Sequence, residues 1–132
     1  MQTNELDMRD EVLLISGTDS KKCMGCGKCS ATCPASLDMD ILPHRFVRYV
    51  SDGLISELIE SETLFQCLSC FACVERCPRS VEPAALVEAV RLLVIRERDS
   101  NIFNPEHVSE AISLDEDIPQ QLFVSMFRKF RK

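Results

Sequence analysis

Eight cysteines stand in two blocks, Cys23, Cys26, Cys29 and Cys33 in the first and Cys67, Cys70, Cys73 and Cys77 in the second, and none lies outside them. Each block reads C-x2-C-x2-C-x3-C and runs straight into a proline, Pro34 or Pro78. Three thiolates at three-residue intervals let a tight loop wrap three corners of a cubane, and the longer last gap aims the fourth thiolate away. That spacing holds [4Fe–4S] clusters, and where two such runs share a chain the fourth cysteine ligates the other cluster. Two clusters are therefore expected, the first on Cys23, Cys26, Cys29 and Cys77 and the second on Cys67, Cys70, Cys73 and Cys33. The two prolines fix the backbone just after each crossing ligand. Zinc prefers its ligands in two separated pairs, which leaves a third cysteine three residues on without a place. A disulfide framework needs an oxidising compartment.

The residues between the ligands tune such a site. Gly25 and Gly27 leave backbone amides free to approach cluster sulfurs, which stabilises the reduced form. Leu68 and Phe71 stand at comparable places in the second block and would exclude water, so the second cluster is expected at the lower potential. Lys28, Arg76 and Arg79 act against that ordering.

The blocks are copies of one unit at an offset of 44 residues, and the likeness runs on from Ser36-Leu37-Asp38 to Ser80-Val81-Glu82. The elements that must hold them read as helices. Leu6, Val12, Leu13 and Ile15 predict a short helix over 6–16 closed by Gly17. Pro43 opens a helix to about Asp52, broken by Gly53, and Leu54, Leu58 and Ile59 continue the apolar face in a second. Pro83 opens the longest helix, to about Arg98, with Leu86, Val90, Leu93 and Val94 on one stripe. Asn104-Pro105-Glu106 is a further helix start, and Asp117 with Gln120 resembles a capping box before a last helix bearing Leu122, Phe123, Met126, Phe127 and Phe130. No segment makes a strand, so the fold class is all-α. A single domain over 1–132 is expected: an N-terminal helix in 1–22, the first cluster block 23–34, a helical spacer 35–66, the second block 67–78 and C-terminal helices over 79–132.

Composition narrows the class further. A chain of 132 residues with 45% apolar and 27% charged residues can bury a core without cysteine staples. The formal charge of −6 argues against nucleic acid as a partner. No apolar run approaches the roughly 20 residues of a membrane span. The acids Glu5, Asp7, Asp10 and Glu11 are unlike a secretion signal, so a cytoplasmic chain with reduced thiols is expected. Two oxidised clusters of formal −2 each would carry the total to about −10.

These residues resemble the small C subunit of heterodisulfide reductase, within the α-helical ferredoxin group. The resemblance rests on Cys26-Gly27-Lys28-Cys29-Ser30-Ala31-Thr32-Cys33-Pro34, the Ser16-Gly17 turn, Cys77-Pro78-Arg79, the Val81-Glu82-Pro83 helix start and Ala89-Val90-Arg91. It implies an α-helical ferredoxin fold and a non-catalytic iron–sulfur subunit of a hetero-oligomer. Such a subunit relays electrons between a flavin-bearing subunit and a second, disulfide-active one. The sequence agrees in lacking adjacent cysteines, a spare thiol and a G-x-G-x-x-G turn, so no catalytic residue is expected. The alternatives are an iron–sulfur subunit of another flavin- or quinone-linked complex, a free ferredoxin, and a zinc-bound scaffold. His44 and His107 read as surface or capping residues, and Phe46 and Tyr49 as core. Arg128, Lys129, Arg131 and Lys132 close a helix that reads as a docking element for a partner subunit. Residues 97–117 hold seven acids against one base and read as a solvated connection.

Overall fold

The computed structural model describes residues 5–96 and 119–127. The described elements are α1 (Glu5–Ser16), a 3-10 turn (Ser20–Lys22), α2 (Lys28–Thr32), α3 (Pro43–Asp52), α4 (Ile55–Glu60), α5 (Thr63–Gln66), α6 (Ala72–Glu75), α7 (Pro83–Ile95) and α8 (Gln120–Phe127). Among the described residues there is no strand, and the fold is all-α. The chain falls into two units, Met1–Ile95 and Arg96–Lys132. The second contains α8, whose described side chains at Leu122 and Val124 are exposed. The helix start at Asn104, Asp117 of the capping box, the acidic stretch 97–117, His107 and the basic residues 128–132 lie outside the described residues.

Local chemistry sets the helix ends in the first unit. Pro43 takes the first turn of α3, where its missing N–H costs nothing. Gly53 stops that helix in the left-handed conformation at φ 81, its N–H reaching Val50 O at 3.2 Å while the Leu54 N–H reaches Tyr49 O at 3.0 Å. This is a Schellman closure, and any residue but glycine at its left-handed centre would carry the strain of a Cβ. Gly17, at φ 65, ends α1 through a single bond to Leu13 O at 3.0 Å.

α7 is the spine, packing against α1, α3, α4, α5 and α6. Its buried face is Pro83, Ala84, Leu86, Val87, Ala89 and Val90. Against it lie Val12 of α1, Phe46, Val47 and Val50 of α3, Ile55 and Leu58 of α4, and Leu64 of α5, all buried. Each such side chain contributes about 1.5–3 kcal/mol over its exposed state. Tyr49 and Leu93 pack on this core from its edge. Two details differ from the sequence reading. α7 ends at Ile95 rather than Arg98, and Val94 on its predicted stripe is exposed, because the stripe turns off the core in the last turn. α1 buries only Val12, leaving Leu6 and Ile15 exposed.

One polar knot ties the segment after the first block to the turn before the second. Asp40 Oδ1 accepts the Ser61 hydroxyl at 2.8 Å, the Thr63 amide at 3.0 Å and the Thr63 hydroxyl, while the Ile41 N–H donates to Thr63 Oγ1 at 2.9 Å. Desolvation pushes this carboxyl upward, but the bonds from Thr63 and Ser61 outweigh it and hold it below the ordinary carboxylate range. A pKa depressed by folding stabilises the fold above the unfolded value, about 3.9, and that stabilisation fades as pH falls below it. Asp40 is exposed on its other side, so solvent screens the effect. Asp40→Asn is expected to cost about 1 kcal/mol or less at pH 7, with the gap to the parent narrowing towards pH 3. Urea midpoints of both proteins along that series check it, and a gap independent of pH would count against the carboxylate's role.

Candidate metal centres

The two cysteine blocks fold into two copies of one loop. Cys23 closes the 3-10 turn through its N–H to Ser20 O at 3.2 Å, and Cys67 closes α5 through its N–H to Thr63 O at 3.0 Å. Next comes a pair of left-handed residues, Gly25 (φ 69) and Gly27 (φ 73) in the first loop, Ser69 (φ 49) and Phe71 (φ 59) in the second. Gly27 and Phe71 then cap the short helices α2 and α6, which carry Cys29 and Cys73. The loops finish alike, with Cys33 N to Ser30 O at 3.2 Å and Cys77 N to Val74 O at 3.1 Å. The left-handed pair turns the chain sharply enough to bring the first three thiols onto one side of each loop. Glycine does this without strain, whereas a Cβ there costs about 1–2 kcal/mol.

These loops frame two cavities. Cys23, Cys26 and Cys29 line the first, and the thiol that joins them is Cys77. Cys67, Cys70 and Cys73 line the second, joined by Cys33. Pro83 and the Cys29 and Cys73 side chains lie between, since Pro83 lines both cavities and the two cysteines pack together with Ala84. Exposure follows the same order in both loops: the second cysteine, Cys26 or Cys70, is exposed, and the third, Cys29 or Cys73, is 8% exposed. Among the described residues no three Cys, His, Asp or Glu side chains close on a single ion. Four thiols spread round a cavity suit a cubane, which offers each its own iron, better than one zinc, which draws four sulfurs to within about 2.3 Å of a point. The donor set thus fits the cluster the spacing implies. Burial pushes the Cys73 thiol up to about 11, with Cys67 and Cys29 adding to the rise, and burial likewise raises Cys29. Such thiols need a metal's positive charge to deprotonate.

The surroundings differ between the sites. The second cavity is walled by Pro34, Ala35, Met39, Leu68, Phe71 and Val87. Leu68 and Phe71 are thus in place as apolar cover, although Leu68 keeps 68% of its surface exposed and shields from one side only. The first cavity takes Gly27, Lys28, His44 and Arg79 into its wall. Arg79 follows the second block in sequence, yet it accompanies Cys77 to the first site. Arg76 lines neither cavity. The Val81 N–H donates to Cys77 Sγ at 3.3 Å, a bond of the kind that favours added negative charge on the ligand.

Three positioning groups carried no local signal as such. Ser30 Oγ accepts the His44 N–H at 3.1 Å, capping α3 from across the fold, and lies 2.7 Å from His44 Nδ1. Donation of the hydroxyl proton there would leave the ring N–H on Nε2. His44 is a capping partner, as expected, and also lines the first site. Asp40, through Thr63, fixes one wall of the second cavity. Arg91 clamps the second loop: Nε and Nη2 donate to Leu64 O at 2.9 and 2.6 Å, Nη2 also to Cys67 O at 3.0 Å and Nη1 to Ser69 Oγ at 3.4 Å, with the guanidinium over the Phe65 ring at 6.0 Å. In the sequence it shows as a lone arginine in the apolar run of α7, within the Ala89-Val90-Arg91 motif, with nothing to mark it as a clamp.

Residues 22–82 match the 4Fe-4S dicluster domain family. The chain is 37% identical over 76 residues to the C subunit of the ferredoxin:CoB-CoM heterodisulfide reductase of Methanosarcina acetivorans, covering 58% of this chain and 30% of that one. It is 35% identical over 75 residues to the iron-sulfur C subunit of the CoB–CoM heterodisulfide reductase of Methanopyrus kandleri, covering 57% and 39%. The chain thus spans well under half the length of these two relatives. A longer match, 30% over 116 residues, covers 81% of this chain and 70% of the C subunit of the ferredoxin:CoB-CoM heterodisulfide reductase of Methanosarcina mazei. With the duplicated thiol loops in place and that match running through the flanking helices as well, the chain belongs to the family of heterodisulfide reductase C subunits.

Proposed function

We propose that the chain is a non-catalytic electron-transfer subunit that holds two [4Fe–4S] clusters, the first on Cys23, Cys26, Cys29 and Cys77, the second on Cys67, Cys70, Cys73 and Cys33. The observation that carries this reading is the exchange of the fourth thiol, with Cys77 facing the first cavity and Cys33 the second. Each cluster, when bound, supplies a one-electron redox couple. The chain's own part is to hold the two couples beside one another, to keep water from their inner faces through Cys29, Cys73, Pro83 and Ala84, and to leave Cys26 and Cys70 open to partners. All eight thiols are used, which leaves none over for attack on a disulfide.

The names of the relatives support a place in a hetero-oligomeric heterodisulfide reductase. There the chain would relay electrons between the flavin-bearing subunit and the disulfide-active one. A reducing, cytoplasmic setting goes with thiolate-ligated clusters, and among the described residues no helix is long and apolar enough to cross a membrane.

Analysis of protein purified under anaerobic conditions is expected to give about eight iron and eight acid-labile sulfide per chain. Two zinc without sulfide would overturn the proposal. Cys77→Ser is expected to disturb the cluster on the first loop, leaving the reduced-state EPR signal of the other in place. Loss confined to the cluster on Cys67, Cys70 and Cys73 would refute the crossed grouping.

A further inference from the structure

The wall of the first cavity is cationic in a chain whose formal charge is −6. Lys28 and Arg79 line the cavity itself, Lys21, Lys22 and Arg79 share a surface depression with Cys23 and Met24, and Arg45 lines the adjoining groove with Lys21 and Gly25. All five cations are exposed, and none forms an ion pair among the described residues. The single acid in these linings, Asp52, is held by Arg48 at 2.9 Å. Met24, which lines all three, presents 62% of its surface, and Cys26, which lines the first cavity with it, is exposed. The second cavity has the opposite rim, with Leu68 and Phe71 exposed and no cation in its lining.

We propose that the face around Cys26 docks the acidic face of a redox protein, guided by Lys21, Lys22, Lys28, Arg45 and Arg79. The proposal rests on the electron-transfer reading and adds to it the chemistry of one partner. A cationic ring round the exposed edge of a redox centre steers a carboxylate-bearing surface to the place where the tunnelling distance is shortest. Steering of this kind raises association rates by about 10–1,000-fold and fades with salt. The two exchange one electron: a reduced carrier is oxidised, the first centre is reduced, and no bond is made or broken. Cations serving only to offset the charge of the bound cluster would change its potential and leave association alone.

The cluster-loaded full chain, mixed in stopped flow with reduced flavodoxin as a small acidic carrier, separates these cases. The second-order rate is expected to fall at least tenfold between low and high salt. Lys21→Glu with Lys22→Glu should remove at least tenfold of the low-salt rate, with the potential of the first centre and photoreduction by a neutral deazaflavin unchanged. A rate indifferent to salt and to the double variant, in a chain that deazaflavin reduces normally, overturns the docking face and leaves the electron-transfer reading standing. A potential shift large enough to account for the slower rate overturns it in favour of cluster charge compensation. Binding to phosphatidylglycerol vesicles without any salt effect on the carrier overturns it in favour of a lipid surface. Centres that accept no electron from either reductant overturn both readings.

Discussion

The rest of the structure depends on the exchange of one thiol between the two loops. A loop of this spacing presents three sulfurs to a cavity and turns its fourth away, so each half of the repeat is incomplete until the other stands against it at a fixed distance. α7 meets that constraint. Its first turn supplies Pro83 and Ala84 to the partition between the cavities, and its later turns bury Leu86, Val87 and Val90 against the helices that lead into and out of both loops. Core packing and site assembly are therefore one event: a core loosened around α7 moves Cys77 and Cys33 relative to the loops they serve.

The loops share one backbone path but not one sequence, and that difference carries physical meaning. Glycine occupies both left-handed positions of the first loop, whereas serine and phenylalanine occupy those of the second. The second loop forgoes the low-strain choice and gains two contacts. Ser69 meets Arg91, and Phe71 covers the cavity. The strain is held by the Arg91 fork, which ties Leu64 O and Cys67 O to the spine. Charge of that kind beside the second loop also opposes the low potential that apolar cover alone would suggest, while Lys28, Arg79 and the Val81 amide act on the first site.

What could be read from the chain alone was whatever a short span of it encodes. Cysteine spacing, Pro43 at a helix start, Gly53 and Gly17 at helix ends and the 44-residue repeat are all local patterns, and each has its counterpart in the structure. The polar ties were not legible. Asp40 with Ser61 and Thr63, Ser30 with His44, and Arg91 with Cys67 join residues 14 to 24 positions apart. Asp, Ser and Arg look the same in sequence whether solvated or clamping a loop. The place of Arg79 in the wall of the first site was hidden for the same reason, because it travels with Cys77, the cysteine of its block that crosses.

Burial along each loop follows the same order at the two sites. In both, the second thiol is exposed and the third is sealed against its counterpart, so on the proposed reading a charge reaching Cys26 or Cys70 would have a dry, packed route through Cys29, Ala84 and Cys73 to the other site. Dry surroundings keep solvent from reorganising around each charge state, which favours transfer between the sites over loss to water. On the proposed reading the outer faces, one cationic and one apolar, would select different neighbours at the two ends of that route. An apolar rim buries area against a partner that stays, whereas a cationic rim favours fast encounter and release in the presence of salt. A relay of the kind proposed would need both properties, one at each end, and the two copies differ accordingly: Lys28 of the first loop answers to Ala72 of the second, and Met24, Gly25 and Gly27 answer to Leu68, Ser69 and Phe71.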